Sequence, residues 1–239
     1  MGIVVIIVIA IIGITVWVIL KKAKEKKEKR AEELRQQELK DAQEREKAEI
    51  LRKQQEEEQW QEDIKTGKVD FKKAEAFYDA GTMLLEAGKI DEAIVQFTKA
   101  IEFNPRYTNA YCKRGIAYKR KGDCDQAIED YQQALRFDDN DSEVHYNLGL
   151  AYMERKNFYA AKEAFNMAYH YGVDAILNKG IAEFNIGEEE RVKYNSTTEL
   201  HAAYRTFEEV LRKDPNNSEA RRLLGMAQER IPYRVDSRL

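Results

Sequence analysis

The hydrophobic pattern divides the chain into three stretches. Ile3 to Leu20 reads IVVIIVIAIIGITVWVIL, apolar throughout apart from Gly13 and Thr15. Lys21 to about Lys65 is almost entirely charged or Gln, and its few large apolar residues, Leu34, Leu39, Ile50, Leu51, Trp60 and Ile64, keep no steady period. Beyond residue 67, apolar positions recur at the three- and four-residue intervals of amphipathic helices. With abundant Ala, Glu, Lys, Leu and Gln and only three prolines, this pattern predicts an all-α protein. The expected parts are an N-terminal transmembrane helix over 1–20, a long charged helical stalk over 21–66, a helical domain over 67–235 and a tail over 236–239.

About eighteen apolar residues at 1.5 Å each are near the lower limit for crossing a hydrocarbon core. Trp17 lies near the end of the run, at the depth of an interfacial aromatic. No basic residue precedes the run and no small-residue cleavage site follows it, so it reads as an uncleaved anchor with the lipid bilayer as partner of residues 3–20. Gly2 does not signal myristoylation, because Ile6 stands where Ser or Thr is required. The flank KKAKEKKEKR, residues 21–30, carries seven basic and two acidic residues. By the positive-inside rule the expectation is a single-pass membrane protein with its soluble domain in the cytoplasm. The alternative is an inner-membrane protein with a periplasmic domain.

Opposite charges at helical spacing, such as Asp41 with Arg45 and Glu49 with Lys53, support a solvated stalk helix. Unbroken, it would span about 65 Å. A coiled coil needs apolar a and d positions over several heptads, which are missing here, so self-association is only weakly signalled.

The strongest feature is a period of 34 residues. Glycines at 81, 115 and 149, alanines at 93, 127 and 161, aromatics at Phe97, Tyr131 and Phe165, and alanines at 100, 134 and 168 all share one register. With units starting at Ala74, Thr108 and Ser142, the small residues fall at positions 8, 20 and 27. Each unit then reads as two antiparallel helices brought close by small side chains. Larger residues such as Phe77, Leu84, Tyr111, Tyr118 and Tyr152 fill the remaining space. Gly88 and Gly122 fall where the first helix turns, and Pro105 stops the second.

This pattern resembles the tetratricopeptide repeat, most closely over AEAFYDAGTMLLEAGKIDEAIVQFTKAIEFNPRY, residues 74–107. The resemblance implies a right-handed α-solenoid with a C-terminal capping helix. The expected units are 74–107, 108–141, 142–172, a split unit over 173–215 and a cap over 218–230. The second and third units lack the closing proline, with Asp139 and Val173 in its place. In the fourth unit Gly180 and Ala203 are too far apart, which implies an insertion near 188–198 as a surface loop or helical extension.

In arrays of this family, first-helix positions 2, 5, 9, 12 and 13 line a concave groove that binds a protein or peptide segment. The resemblance carries that role onto Tyr78, Thr82 and Leu85; Asn109, Cys112, Ile116 and Lys119; Tyr146, Leu150 and Met153; and Leu177, Ile181 and Phe184. Relatives that clamp acidic chaperone tails place Lys and Asn at positions 5 and 9 of one repeat, Asn at position 6 of the next, then Lys and Arg at positions 2 and 6. Here those places hold Tyr78 and Thr82, Lys113, and Glu143 and Asn147, so that specialisation is not expected.

Nothing in the sequence points to catalysis. His145, His170 and His201 fall on different predicted helices without ligand spacing, and no phosphate-binding glycine loop or nucleophile elbow occurs. Cys112 and Cys124 form no CxxC pair and read as free thiols. A net charge of −3 does not indicate a nucleic-acid surface. The expectation is no enzyme, cofactor, metal, nucleic acid or small-molecule substrate, but a membrane-anchored scaffold that recruits or assembles partners through its groove. The alternatives are a periplasm-facing envelope scaffold for translocation, wall or motility machinery, and a regulatory subunit of a membrane-bound enzyme complex.

Overall fold

The computed structural model describes the backbone of residues 2–168, 171–194 and 196–231, and side chains from residue 21 onward apart from residues 22, 23, 25 and 28. The chain forms two compact units, Met1–Thr66 and Gly67–Leu239.

The first unit is one helix, α1 (Gly2–Lys65). The expected anchor falls on residues 3–20, whose side chains lie outside the described residues; among the described residues no helix is long and apolar enough to cross a membrane. Along the stalk, Lys53 pairs with Glu49 at 3.1 Å and Arg52 with Glu56 at 3.3 Å. Asp41 accepts from Gln37 Nε2 at 2.7 Å rather than pairing with Arg45. All these partners are solvated, so each link is worth only a few tenths of a kcal/mol. Leu34, Leu39, Ile50 and Leu51 are exposed on α1.

The second unit is a succession of short helices: α2 (Phe71–Glu86), α3 (Ile90–Phe103), α4 (Thr108–Lys121), α5 (Cys124–Phe137), α6 (Ser142–Glu154), α7 (Phe158–Met167), α8 (Gly172–Tyr194), α9 (Thr198–Lys213) and α10 (Ser218–Arg230). Each packs mainly on the helix before and after it in the chain. Caps explain the starts. Asp70, Asp123, Asp141, Asn157 and Asn217 each accept from a backbone N–H in the first turn of the helix they precede.

The turns inside the units share one form. Lys89 N–H bonds Leu84 O at 2.9 Å, Asp123 N–H bonds Tyr118 O at 2.9 Å and Asn157 N–H bonds Tyr152 O at 2.9 Å, closing each first helix with a left-handed residue. Gly88 (φ 75°) and Gly122 (φ 92°) take that conformation without cost, but in the third unit it falls on Lys156 (φ 57°). Between units the chain makes an Asx turn whether the closing proline is present, as at Pro105 and Pro215, or absent, as at Asp139. Asn104, Asp138 and Asp214 each accept from the N–H two residues on, at 3.1, 3.3 and 3.1 Å.

The glycine column has one structural cause. A Cβ at Gly81, Gly115 or Gly149 would lie 2.6–2.7 Å from the ring of Phe97, Tyr131 or Phe165, and at Gly180 it would lie 2.7 Å from Phe207. Each first-helix glycine is therefore the seat of the second helix's aromatic ring, and all four rings are buried. The expected insertion lengthens α8 to Tyr194 instead of forming a loop. Gly187 lets Leu200 close onto this extension, since a Cβ there would be 2.7 Å from Leu200 Cγ. Tyr159 OH donates to Glu190 at 2.7 Å, and Arg230 on α10 reaches Glu188 at 3.1 Å.

Polar links join successive helices inside the stack. Arg114 donates to Asp130 at 2.6 and 2.8 Å and to Thr98 Oγ1 at 3.1 Å, tying α3, α4 and α5. Buried Glu183 accepts from Thr206 Oγ1 at 2.6 Å, and Lys162 meets Glu199 at 3.2 Å.

Candidate functional site

The first helices α2, α4 and α6 approach one another along one side of the stack, as do α8 and α10. The expected groove positions lie on these helices. Asn109 is exposed, while Tyr78, Thr82, Ile116, Lys119, Tyr146, Leu150, Met153, Leu177 and Ile181 are half-buried. These helices thus carry apolar side chains that stop short of full burial.

Three expected groove residues are placed elsewhere. Leu85, Cys112 and Phe184 are only 5%, 4% and 8% exposed and belong to the packed interior. Leu85 packs in the cluster of Phe97 and Ala117, Cys112 in that of Tyr131 and Val144, and Phe184 in that of Leu200 and Phe207. A neighbouring helix covers each, because a side chain on the inner edge of a helix is roofed when the next helix packs closely.

Two aromatic groups, one of tilted rings around Tyr78 and one with a stacked pair at Tyr146, lie on these helices. Tyr78 lies 6.0 Å from Phe97 and 5.2 Å from Tyr107, measured between ring centroids. Tyr146 lies 5.8 Å from Phe165 and 4.4 Å from Tyr171, nearly parallel to the latter at 8°. Asn178 Nδ2 also donates to Tyr146 OH at 3.2 Å. Tyr107 and Tyr171 come from the loops that follow second helices, so the helical period does not reveal them. Their one sequence signal is an aromatic residue shortly before a first helix.

The electrostatics of this rim follow from burial and nearby carboxylates. Burial raises the Tyr107 phenol, with further upward pushes from Tyr78, Glu75 and Asp79. Burial also raises Tyr146, assisted by Asp174. Between the two stacks Lys113 pairs with Glu143 at 3.3 Å.

The groups considered for chemistry are committed to the fold. Burial pushes the Cys112 thiol up to about 12. Burial pushes Cys124 up to about 11, helped by its 3.0 Å hydrogen bond to Glu154. Both thiols are therefore poor nucleophiles near neutral pH. His145 Nε2 and His201 Nδ1 each pair with a backbone carbonyl, at 2.8 and 2.7 Å. His170 lies outside the described residues.

No curated protein sequence matches the chain. Family models described as TPR repeat match residues 81–122 and 117–155, and one described as tetratricopeptide repeat matches 142–169. Among solved structures, the MamA protein is similar at 23% identity with a TM-score of 0.59, over 66% of this chain and 82% of that one. YrrB, described as a TPR protein with an unusual peptide-binding site, is similar at 20% identity and TM-score 0.56, over 65% and 78%. PilF of Pseudomonas aeruginosa is similar at 22% identity and TM-score 0.54, over 66% and 70%. Likeness at these identities is one of fold. Family models and fold agree: residues 81–169 match tetratricopeptide-repeat models, and the helix pairs stack in a tetratricopeptide-like α-solenoid fold.

Proposed function

We propose that the protein is a membrane-anchored, non-catalytic scaffold that recruits partner proteins through the inner face of its repeat array. Tetratricopeptide-repeat proteins are interaction scaffolds, and the description of YrrB includes a peptide-binding site. The observation that carries the reading is the row of half-buried apolar side chains, Ile116, Leu150, Met153 and Ile181, along three successive first helices, α4, α6 and α8. A surface of this kind takes an extended or helical segment of another chain. The outward face of α10 is polar, with Glu219 and Arg222 paired at 2.7 Å, and it ends the stack.

The anchor rests on the apolar run 3–20, and the cytoplasmic orientation on the basic flank 21–30. Orientation is tested with an engineered cysteine at exposed Asp174, since both native thiols are buried. Labelling of that position by an impermeant reagent on intact cells would place the array outside the cytoplasm.

The groove itself is tested by photocrosslinking in cells. Tyr146 is wedged between Phe165 and Tyr171, so exposed Asn109 is the better site for the crosslinker, with exposed Val95 on α3 as control. Capture of a partner from Asn109 alone is expected. Capture of the same proteins from both positions, or of none from Asn109, would remove the groove as binding site.

A further inference from the structure

The sign of the groove's rim identifies the kind of segment it accepts. Around the first aromatic group, Glu75 and Asp79 are exposed on α2, three residues before and one residue after Tyr78, and their charges help to raise the Tyr107 phenol. Neither carboxylate has an ion-pair or hydrogen-bond partner among the described residues. Around the second stack, Asp174 is exposed one turn before Asn178, whose amide bonds both Asp174 O and Tyr146 OH, and its charge helps to raise the Tyr146 phenol. Glu143 is already matched by Lys113 and is not counted. Each stack therefore offers an aromatic face beside unmatched negative charge. Tyr171 is 37% exposed, so one of those faces is open.

The middle unit lacks such a stack. Position 5 there is Cys112, which is small and buried, so the two aromatic faces are separated by two repeats. Neighbouring packed helices lie about 8–10 Å apart, which puts Tyr78 and Tyr146 roughly 20 Å apart if first helices keep that spacing. An extended chain advances about 3.3 Å per residue, so roughly six residues bridge the distance.

Resting on the groove reading above, we propose that the array binds an extended protein segment bearing two cationic side chains about six residues apart, one at each tyrosine stack, with apolar residues between them. A guanidinium or ammonium over a Tyr face is worth about 0.5–1 kcal/mol at an exposed site, and an adjacent carboxylate adds to it. The apolar floor at Ile116 and Leu150 receives the intervening residues. An acidic side chain at either tyrosine group is disfavoured by the carboxylates Glu75, Asp79 and Asp174 beside it.

The test uses the full chain in detergent micelles and fluorescein-labelled peptides read by anisotropy. The probe is GSRGLGLGRGS, with its glutamate counterpart GSEGLGLGEGS. The arginine peptide is expected to bind at least tenfold more tightly, with the gap narrowing as salt rises. The triple variant Glu75→Lys, Asp79→Lys, Asp174→Lys is expected to lose at least tenfold for the arginine peptide, Tyr171→Ala to weaken it, and Val95→Lys to leave it unchanged. No binding of the arginine peptide at millimolar protein, equal or tighter binding of the glutamate peptide, or an unaffected triple variant would overturn the proposal. Asn109→Trp separates the two levels of the argument. If both peptides bind equally and both are lost in that variant, the groove stands and the charge rule falls; if both bind equally and neither is lost, both fall.

Discussion

Glycine at position 8 of the repeat has opposite consequences in the body of the array and at its cap, and one substitution made twice exposes the difference. Gly149 lies within α6, where alanine improves helix propensity by about 1 kcal/mol. The new Cβ would lie 2.6, 2.7 and 2.8 Å from three carbons of the Phe165 ring. That ring is only 2% exposed, within the packed interior. Overpacking of this kind costs about 1–3 kcal/mol, and with three contacts the upper half of the range applies. Gly149→Ala is therefore destabilising by about 1–2 kcal/mol, or roughly 2–8 °C in Tm. Gly225 holds the same position in α10, and among the described residues nothing lies within 4 Å of its would-be Cβ. Gly225→Ala keeps the propensity gain and raises Tm by roughly 2–4 °C. Thermal unfolding followed by circular dichroism on the full chain in detergent reads both. Shifts of the same sign would refute the ring-seat explanation of the glycine column.

The Tyr131 hydroxyl is fully buried with no hydrogen-bond partner among the described residues, whereas Phe97, Phe165 and Phe207 fill the equivalent seats without one. Tyr131→Phe is expected to stabilise by about 1 kcal/mol in urea unfolding. Lys156→Gly relieves a left-handed lysine whose cost is about 1–2 kcal/mol and adds glycine's entropy cost of about 0.5–1, for a net gain of about 0.5–1 kcal/mol in the same assay. Burial raises the Glu183 carboxyl, with Thr206 and Lys179 pulling the other way. The folded protein then holds that proton more tightly than the unfolded chain, so its contribution is favourable at low pH and is lost as pH rises above about 4, the unfolded value. Glu183→Gln removes this dependence, and its urea midpoint should exceed the parent's at pH 7 but not at pH 4. Cys112 and Cys124 should react with a thiol reagent only at the rate of unfolding, and rapid native-state labelling of Cys112 would contradict its place in the interior.

The repeat was legible in sequence because glycine, alanine and aromatic columns recur in one register, and the structure reduces them to a single contact between ring and backbone. Unit ends were less legible. The second unit has Asp139 where the closing proline would stand, and Asp138 supplies the turn through its carboxylate, which spacing alone does not show. The extra length in the fourth unit was visible as a mismatch between Gly180 and Ala203, yet its form depended on packing. No Gly or Pro interrupts Glu188 to Tyr194, and the contact of Gly187 with Leu200 extends the α8 and α9 pair. For the groove, helix position predicted which face each residue takes but not how deeply the next helix covers it. Leu85, Cys112 and Phe184 therefore moved inside. Tyr107 and Tyr171 were invisible because loops carry no period, although they complete the rim.

Blocking the groove while leaving the fold intact tests the scaffold directly. Asn109→Trp and Asp174→Trp place bulk at two exposed positions on the inner helices without touching the core. Full-length protein carrying both substitutions, the unmodified chain and a Val95→Trp control are isolated from cells under identical conditions, with circular dichroism confirming equal helicity. The account predicts that proteins recovered with the unmodified chain and with the control are lost from the groove-blocked variant. Equal recovery with all three would contradict it.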